Sequence, residues 1–153
     1  MIRQRRLRGP QATMALGAEL AAALPQRCRI DLRGDLGAGK TTLVRGLLRA
    51  LDHTGVVRSP TYTLIESYQV AERRLYHLDL YRLSDPEELE YIGLRDLLRE
   101  SAVLLVEWPE RGAGILSVPD LAIVLSGAGT LRLARMEAHT PQGEALLARL
   151  SNN

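Results

Sequence analysis

Gly34-Asp35-Leu36-Gly37-Ala38-Gly39-Lys40-Thr41-Thr42, GDLGAGKTT, is the stretch whose reading decides the fold. Lys40 is the single lysine among 20 lysines and arginines. A surface cation that arginine could replace would not need to stay lysine. A compact ammonium on a flexible stem does something that a planar guanidinium cannot. The spacing Gly34-x-x-x-x-Gly39-Lys40-Thr41 is that of a phosphate-binding loop. In such a loop the glycines let successive backbone N–H groups converge on a β-phosphate, aided by the N-terminus of the helix that follows. Lys40 then reaches the β- and γ-phosphates, and the Thr41 hydroxyl suits Mg²⁺. The plainer alternative is a glycine-rich turn that happens to open a helix.

Working outward, residues 27–32 (RCRIDL) read as a strand entering the loop. Residues 41–51 read as a helix leaving it, with Leu43, Val44, Leu47, Leu48 and Leu51 on one buried stripe. Two strands are predicted at 62–70 and 74–81 around a polar turn at 71–73. A helix over 86–99 opens on Asp85-Pro86 and is broken near Gly93. The apolar run at 102–106 predicts a strand covered on both faces. Residues 121–125 and 131–138 form a hairpin around SGAGT, and a last helix runs over 143–150. The expected fold class is α/β: a P-loop NTPase-like three-layer domain with a mixed parallel/antiparallel sheet, as one unit over residues 1–153.

Composition sets the outer bounds. Hydrophobic residues at 46% and charged residues at 25% are those of a soluble globular chain with a core of Leu, Val, Ile and Ala, since Phe is absent. One cysteine, Cys28, forms no internal disulfide and suits a reducing cytoplasm. A net charge of +2 is too weak to steer nucleic acid by field alone, and no apolar run is long enough for a membrane. The N-terminus resembles a signal peptide superficially. However, Glu19 interrupts the apolar run, and Leu16, Leu20, Ala23 and Leu24 share one helical face. A mature helix capped by Thr13 and stopped by Pro25 is the better reading, with residues 1–10 a flexible basic arm.

A P-loop site needs an acid at the end of a neighbouring strand to hold the metal. Glu107, directly after the buried run, fills that place, unless it is an ordinary surface glutamate. In YHLDLYRL, strand alternation puts His77 and Asp79 on one face. Asp79 is placed to orient or deprotonate water, or to bind magnesium through water, or else forms a plain salt bridge to a nearby arginine; His77 reads as structural. Guanine specificity through Asn-Lys-x-Asp is excluded, because the only asparagines are Asn152 and Asn153 and the only lysine is already used. ATP is therefore the better nucleotide.

GDLGAGKTT, SPTYTL, YHLDLYRL, DPEELEYIGLRDLL and LLVEWPER, in this order and spacing, resemble the bacterial TsaE (YjeE) family over about residues 13–135. That family is the ATPase component in forming threonylcarbamoyladenosine in tRNA. The resemblance implies that Lys40 and the loop residues Asp35, Gly37, Ala38, Gly39, Thr41 and Thr42 contact ATP or ADP. It implies Thr41 and Glu107 on Mg²⁺, and Asp79 near the γ-phosphate, so that Lys40, Asp79 and Glu107 carry catalysis. Trp108 neighbours the site, Thr13 lies near the adenine, and Arg132 aligns loosely with a nucleotide contact. Residues 59–64 form a switch-like loop. The implied partners are the TsaD and TsaB proteins, with tRNA contacted indirectly, in the cytoplasm and away from membranes. ATP hydrolysis would be weak alone and stronger in the complex, resetting it between turnovers. A small-molecule kinase and a nucleotide-gated binding module remain as alternatives.

Overall fold

A computed structural model describes residues 1–152. The strands are β1 (Ile2–Arg8), β2 (Cys28–Arg33), β3 (Ile65–Val70), β4 (Arg73–Asp79), β5 (Val103–Glu107), β6 (Leu121–Ala128) and β7 (Leu131–Ala138). The helices are α1 (Gly9–Ala23), α2 (Lys40–Ala50), α3 (Glu88–Tyr91), α4 (Leu94–Arg99) and α5 (Pro141–Ala148). One seven-stranded sheet runs in the order β1-β7-β6-β2-β5-β4-β3. Its centre, β6-β2-β5-β4, is parallel, and β3, β7 and β1 are added antiparallel. The mixed sheet and the α/β class are those expected.

Alternation along the strands divides the core in two. On one face Cys28, Ile30 and Leu32 of β2 pack with Val103 and Leu105 of β5 against Leu16, Leu20, Leu43 and Leu47 of α1 and α2. On the other, Leu78, Leu104 and Val106 pack against Leu89 and Leu94 from α3 and α4. The expected break at Gly93 is real: its φ of 76° ends α3 and starts α4. Helices α1 and α2 meet through glycines. A Cβ on Gly17 would lie 2.3 Å from the Leu43 carbonyl oxygen, and one on Gly46 would lie 2.2 Å from that of Met14.

Two expectations are corrected at the N-terminus. The first residues are not a free arm: residues 2–8 form edge strand β1, in register from Ile2↔Glu137 to Arg8↔Leu131. Arg3 donates to the Leu150 carbonyl, and Arg5 is held by Glu19 and Ser151, so these arginines have specific partners instead of bulk water. Thr13 is not a helix cap. Helix α1 begins at Gly9 with proline in its first turn, and Thr13 is buried in its interior.

Candidate functional site

All four parallel strands end on the same side of the sheet, the side where ligands bind in open α/β folds. There β2 runs into the loop at 34–39 and on into α2. Gly39 has φ 109° and precedes the helix, a conformation closed to most side chains. Gly34 has φ 146°, and a Cβ there would meet the Leu125 carbonyl oxygen at 2.5 Å. The loop is therefore both curled and pressed against β6, which leaves its inner side open.

The side chains named from sequence converge from the ends of two strands and the start of one helix. Asp79 and Glu107 end β4 and β5 and are register partners, and Leu32 of β2 pairs with Glu107 on the other side. His77 lies two residues below Asp79 on the same face, the face covered by α2. Lys40, Asp79 and Glu107 are 5%, 4% and 3% exposed, an unusual burial for charges and one that requires partners. Lys40 donates to the Gly34 carbonyl, lies 3.9 Å from Glu107 Oε1, and sits 4.4 Å from the Trp108 ring centroid. Trp108 itself holds a left-handed φ of 55° and leans on Tyr81 with ring centroids 5.1 Å apart. That left-handed backbone, uncommon for a bulky residue, turns the indole beside the lysine.

Glu107 Oε2 is 2.6 Å from His77 Nε2. Asp79 accepts on both oxygens, from the Thr61 hydroxyl at 3.1 Å and the Tyr81 N–H at 3.0 Å. Lys40, Thr41, Thr42, Thr61, Asp79, Glu107 and Trp108 line one cavity of about 190 Å³. A second cavity, of about 320 Å³, lies between Thr13, Arg132 and the same Gly37, Gly39 and Thr42. Arg132 donates to the Ala38 carbonyl at 3.2 Å, so it braces the loop between the two.

The arrangement brings together Lys40, Thr41, Thr42, Asp79, Glu107 and Trp108 in the first cavity, and Thr13, Ala38 and Arg132 with Gly37 and Gly39 in the second. Asp35 is the exception. Its carbonyl accepts from the Ala38 N–H, but the residue is exposed and lines a neighbouring depression, in neither cavity. Sequence reasoning missed Gly9, Pro10, Gly129 and Thr130, which form the far wall of the second cavity. The Gly9 N–H donates to the Thr130 carbonyl at 2.7 Å, a closure between distant segments that no local pattern announces.

A larger hollow, of about 630 Å³, lies over the opposite face of β2, β6 and β7. Its charges are already paired, Arg29 with Asp31 and Arg135 with Glu137, so it offers little free chemistry. The cavity beside the loop is smaller, yet it holds the buried ammonium and both carboxylates. Among the described residues there is no cluster of three or more acidic, histidine or cysteine ligands. The first cavity instead offers two hard oxygen donors, Thr41 and Glu107, a set that fits a magnesium ion sharing phosphate and water ligands.

The family model described as threonylcarbamoyl adenosine biosynthesis protein TsaE matches residues 7–135. The chain belongs to the TsaE family. It is 47% identical over 123 residues to the tRNA threonylcarbamoyladenosine biosynthesis protein TsaE of Haemophilus influenzae, covering 80% of this chain and 78% of that one. The Aquifex aeolicus protein of the same name is 40% identical, over 84% of this chain and 93% of its own. The crystal structure of Bacillus subtilis YdiB superposes with a TM-score of 0.80 at 32% identity, covering 97% of this chain and 94% of that one. The TsaE match thus spans the loop, both carboxylates and Arg132. Among the described residues, no helix of this family member is long and apolar enough to cross a membrane.

Proposed function

We propose that this TsaE-family protein binds ATP with magnesium, hydrolyses it, and so supports the complex that forms threonylcarbamoyladenosine in tRNA. The observation that carries the reading is the convergence of Lys40, Thr41, Asp79 and Glu107 on one cavity at the curled loop. Phosphates take the place beneath the loop N–H groups, with the base and ribose in the Thr13–Arg132 cavity. Lys40 then turns from the Gly34 carbonyl to the phosphate oxygens and stabilises the charge that grows on the leaving β-phosphate. Thr41 and Glu107 would hold a magnesium ion, which would supply Lewis-acid neutralisation of the phosphate charge. Water forms the new bond to the γ-phosphorus as the β–γ bridging P–O bond breaks, giving ADP and phosphate. Asp79 orients that water, and its proton leaves to the carboxylate or to solvent.

Each Asp79 oxygen accepts one hydrogen bond, from Thr61 and from the Tyr81 N–H, and keeps acceptor capacity for the water, so these two contacts fix the direction in which the carboxylate points. Thr61 ties the aim of Asp79 to the loop at 59–64, so a shift of that loop would change how the water is held. Movement of that loop by the TsaD and TsaB proteins is the proposed stimulus. One nucleotide fills both cavities, so the chemistry on tRNA falls to a partner and this chain acts as its switch. The test is magnesium-dependent release of phosphate from ATP, with and without TsaD and TsaB. Phosphate release that rises with the partners is expected. A phosphorylated acceptor instead of free phosphate would make the protein a kinase. Tight nucleotide binding without turnover, in the presence of the partners, would leave only a binding module.

A further inference from the structure

We infer that His77 is a positioning residue: its imidazole holds one oxygen of Glu107 from below and keeps the carboxylate from closing onto Lys40. The inference deepens the ATP–magnesium reading and rests on it. His77 is fully buried, and its Nε2 lies 2.6 Å from Glu107 Oε2. Among the described residues its Nδ1 is the buried side-chain nitrogen or oxygen left with no hydrogen-bond partner. An orphaned buried nitrogen is destabilising, and a leucine at this place on β4, like Leu75 and Leu78 around it, would avoid that cost. The contact with Glu107 is what the imidazole provides in return. A carboxylate can only accept, so the ring proton sits on Nε2 and Nδ1 is bare. The orphan and the short contact are therefore two signs of one tautomer.

The two Glu107 oxygens are thereby made unequal. Oε2 is tied to His77, while Oε1 stays 3.9 Å from Lys40 Nζ, well beyond a charge-assisted hydrogen bond of about 2.8 Å. With the histidine donor removed, nothing restrains the carboxylate from swinging onto the ammonium. A closed Lys40–Glu107 pair would occupy both the phosphate-binding charge and the metal-holding acid. His77 keeps the two apart and ready. It acts through Glu107 and touches neither nucleotide nor metal.

The test uses the whole 153-residue chain and its one tryptophan, Trp108, whose ring lies against Lys40 and reports what enters the cavity. ADP is titrated by Trp108 fluorescence in EDTA and again in magnesium, and the ratio of the two dissociation constants measures metal coupling. The variants are His77→Gln, whose amide reaches the place of Nε2, and His77→Asn, whose shorter amide does not. His77→Gln is expected to keep the coupling. His77→Asn should lose it by about tenfold, the usual scale for a group that orients a metal ligand. Its ADP affinity in EDTA should also fall, because the closed pair takes up Lys40, but by less than its affinity in magnesium, which loses Glu107 as well. Unchanged coupling in His77→Asn, or equal loss in both variants, overturns the inference. Should either variant fail to fold, the ring nitrogen shifts of the wild-type protein decide. Protonated Nε2 with bare Nδ1 upholds it, and the opposite tautomer overturns it. A wild-type protein whose Trp108 ignores ADP would overturn the ATP reading itself. A wild-type protein with metal coupling that His77→Asn leaves intact would overturn only the role of His77.

Discussion

Gly46→Ala tests whether helix α1 is set on α2 by the absence of a single methyl group. Helix propensity alone says that alanine should stabilise the middle of α2 by about 1 kcal/mol. The packing says the reverse. The new Cβ would lie 2.2 Å from the Met14 carbonyl oxygen and 2.6 Å from its Cα, where ordinary contact begins at 3.4 Å. Both atoms are backbone, so no rotamer change relieves the overlap and the helices must move apart. Overpacking of this kind costs about 3 kcal/mol at the upper end of its usual range. The net loss, after the propensity gain, is about 2 kcal/mol, or a fall in Tm of about 4–8 °C for a chain of this length. The displacement also carries a functional sign. Thr13 of α1 faces the loop, with its Cγ2 3.6 Å from where a Gly39 Cβ would be, and α2 begins with Lys40. ADP affinity should therefore fall together with stability. Thermal unfolding followed by circular dichroism, with ADP titration below the transition, measures both. An alanine variant as stable as the parent, or more so, would refute the close-contact argument.

Other substitutions test separate parts of the structure. Lys40→Ala should weaken ATP binding by about 2 kcal/mol, a factor of about 30, from the loss of a charge-assisted contact. Lys40→Arg should not rescue it, because the site between Glu107 and Trp108 is buried and shaped for an ammonium, and calorimetric titration would show recovery if that is wrong. Burial alone would raise the Glu19 carboxyl, but hydrogen bonds from Arg5 and Ser151 outweigh it and hold the group below its ordinary value. A carboxyl depressed by folding contributes stability above its unfolded value and loses it as pH falls through the folded one. Glu19→Gln should thus cost about 0.2–1 kcal/mol at neutral pH, the scale of a solvent-screened pair, and nothing measurable in strong acid, as read from paired thermal melts. Thr140→Ala should cost about 1 kcal/mol by removing the cap of α5, where the hydroxyl accepts from the Gly143 N–H and donates to Asp120; an unchanged midpoint in urea would count against it.

The parts of this protein that could be read in advance are those with short-range rules. The loop, the strand before it and the helix after it follow from one motif, and Glu107 follows from a buried run that must end at the lip of the sheet. Even the break at Gly93 was visible, because a left-handed residue punctuates a helix locally. The N-terminal strand was not visible. Its alternation sets arginine against arginine, with Leu7 as its only buried apolar residue, and the partners that specify it lie in β7 and at Glu19 and Ser151. Thr13 was misplaced as a cap although Pro10 marks the true first turn, a local signal that was available. His77 was read as structural, and its spacing from Asp79 was noted; that it touches Glu107 depends on a strand 30 residues away in sequence. The rear wall of the second cavity, made by Gly9, Pro10, Gly129 and Thr130, is likewise a product of topology alone.

The pairing of β1 with β7 has a consequence for the order of events during synthesis. Among the described residues β1 pairs only with β7, so it must wait, unpaired, while every element between the two is translated. Closure of a loop this long is slow and comes late in folding. The same closure brings Gly9 to Thr130 and builds the wall beside Thr13. A nascent chain that has not yet made β7 would therefore own the curled loop without the wall beside Thr13, and that cavity would close only after β7 is in place.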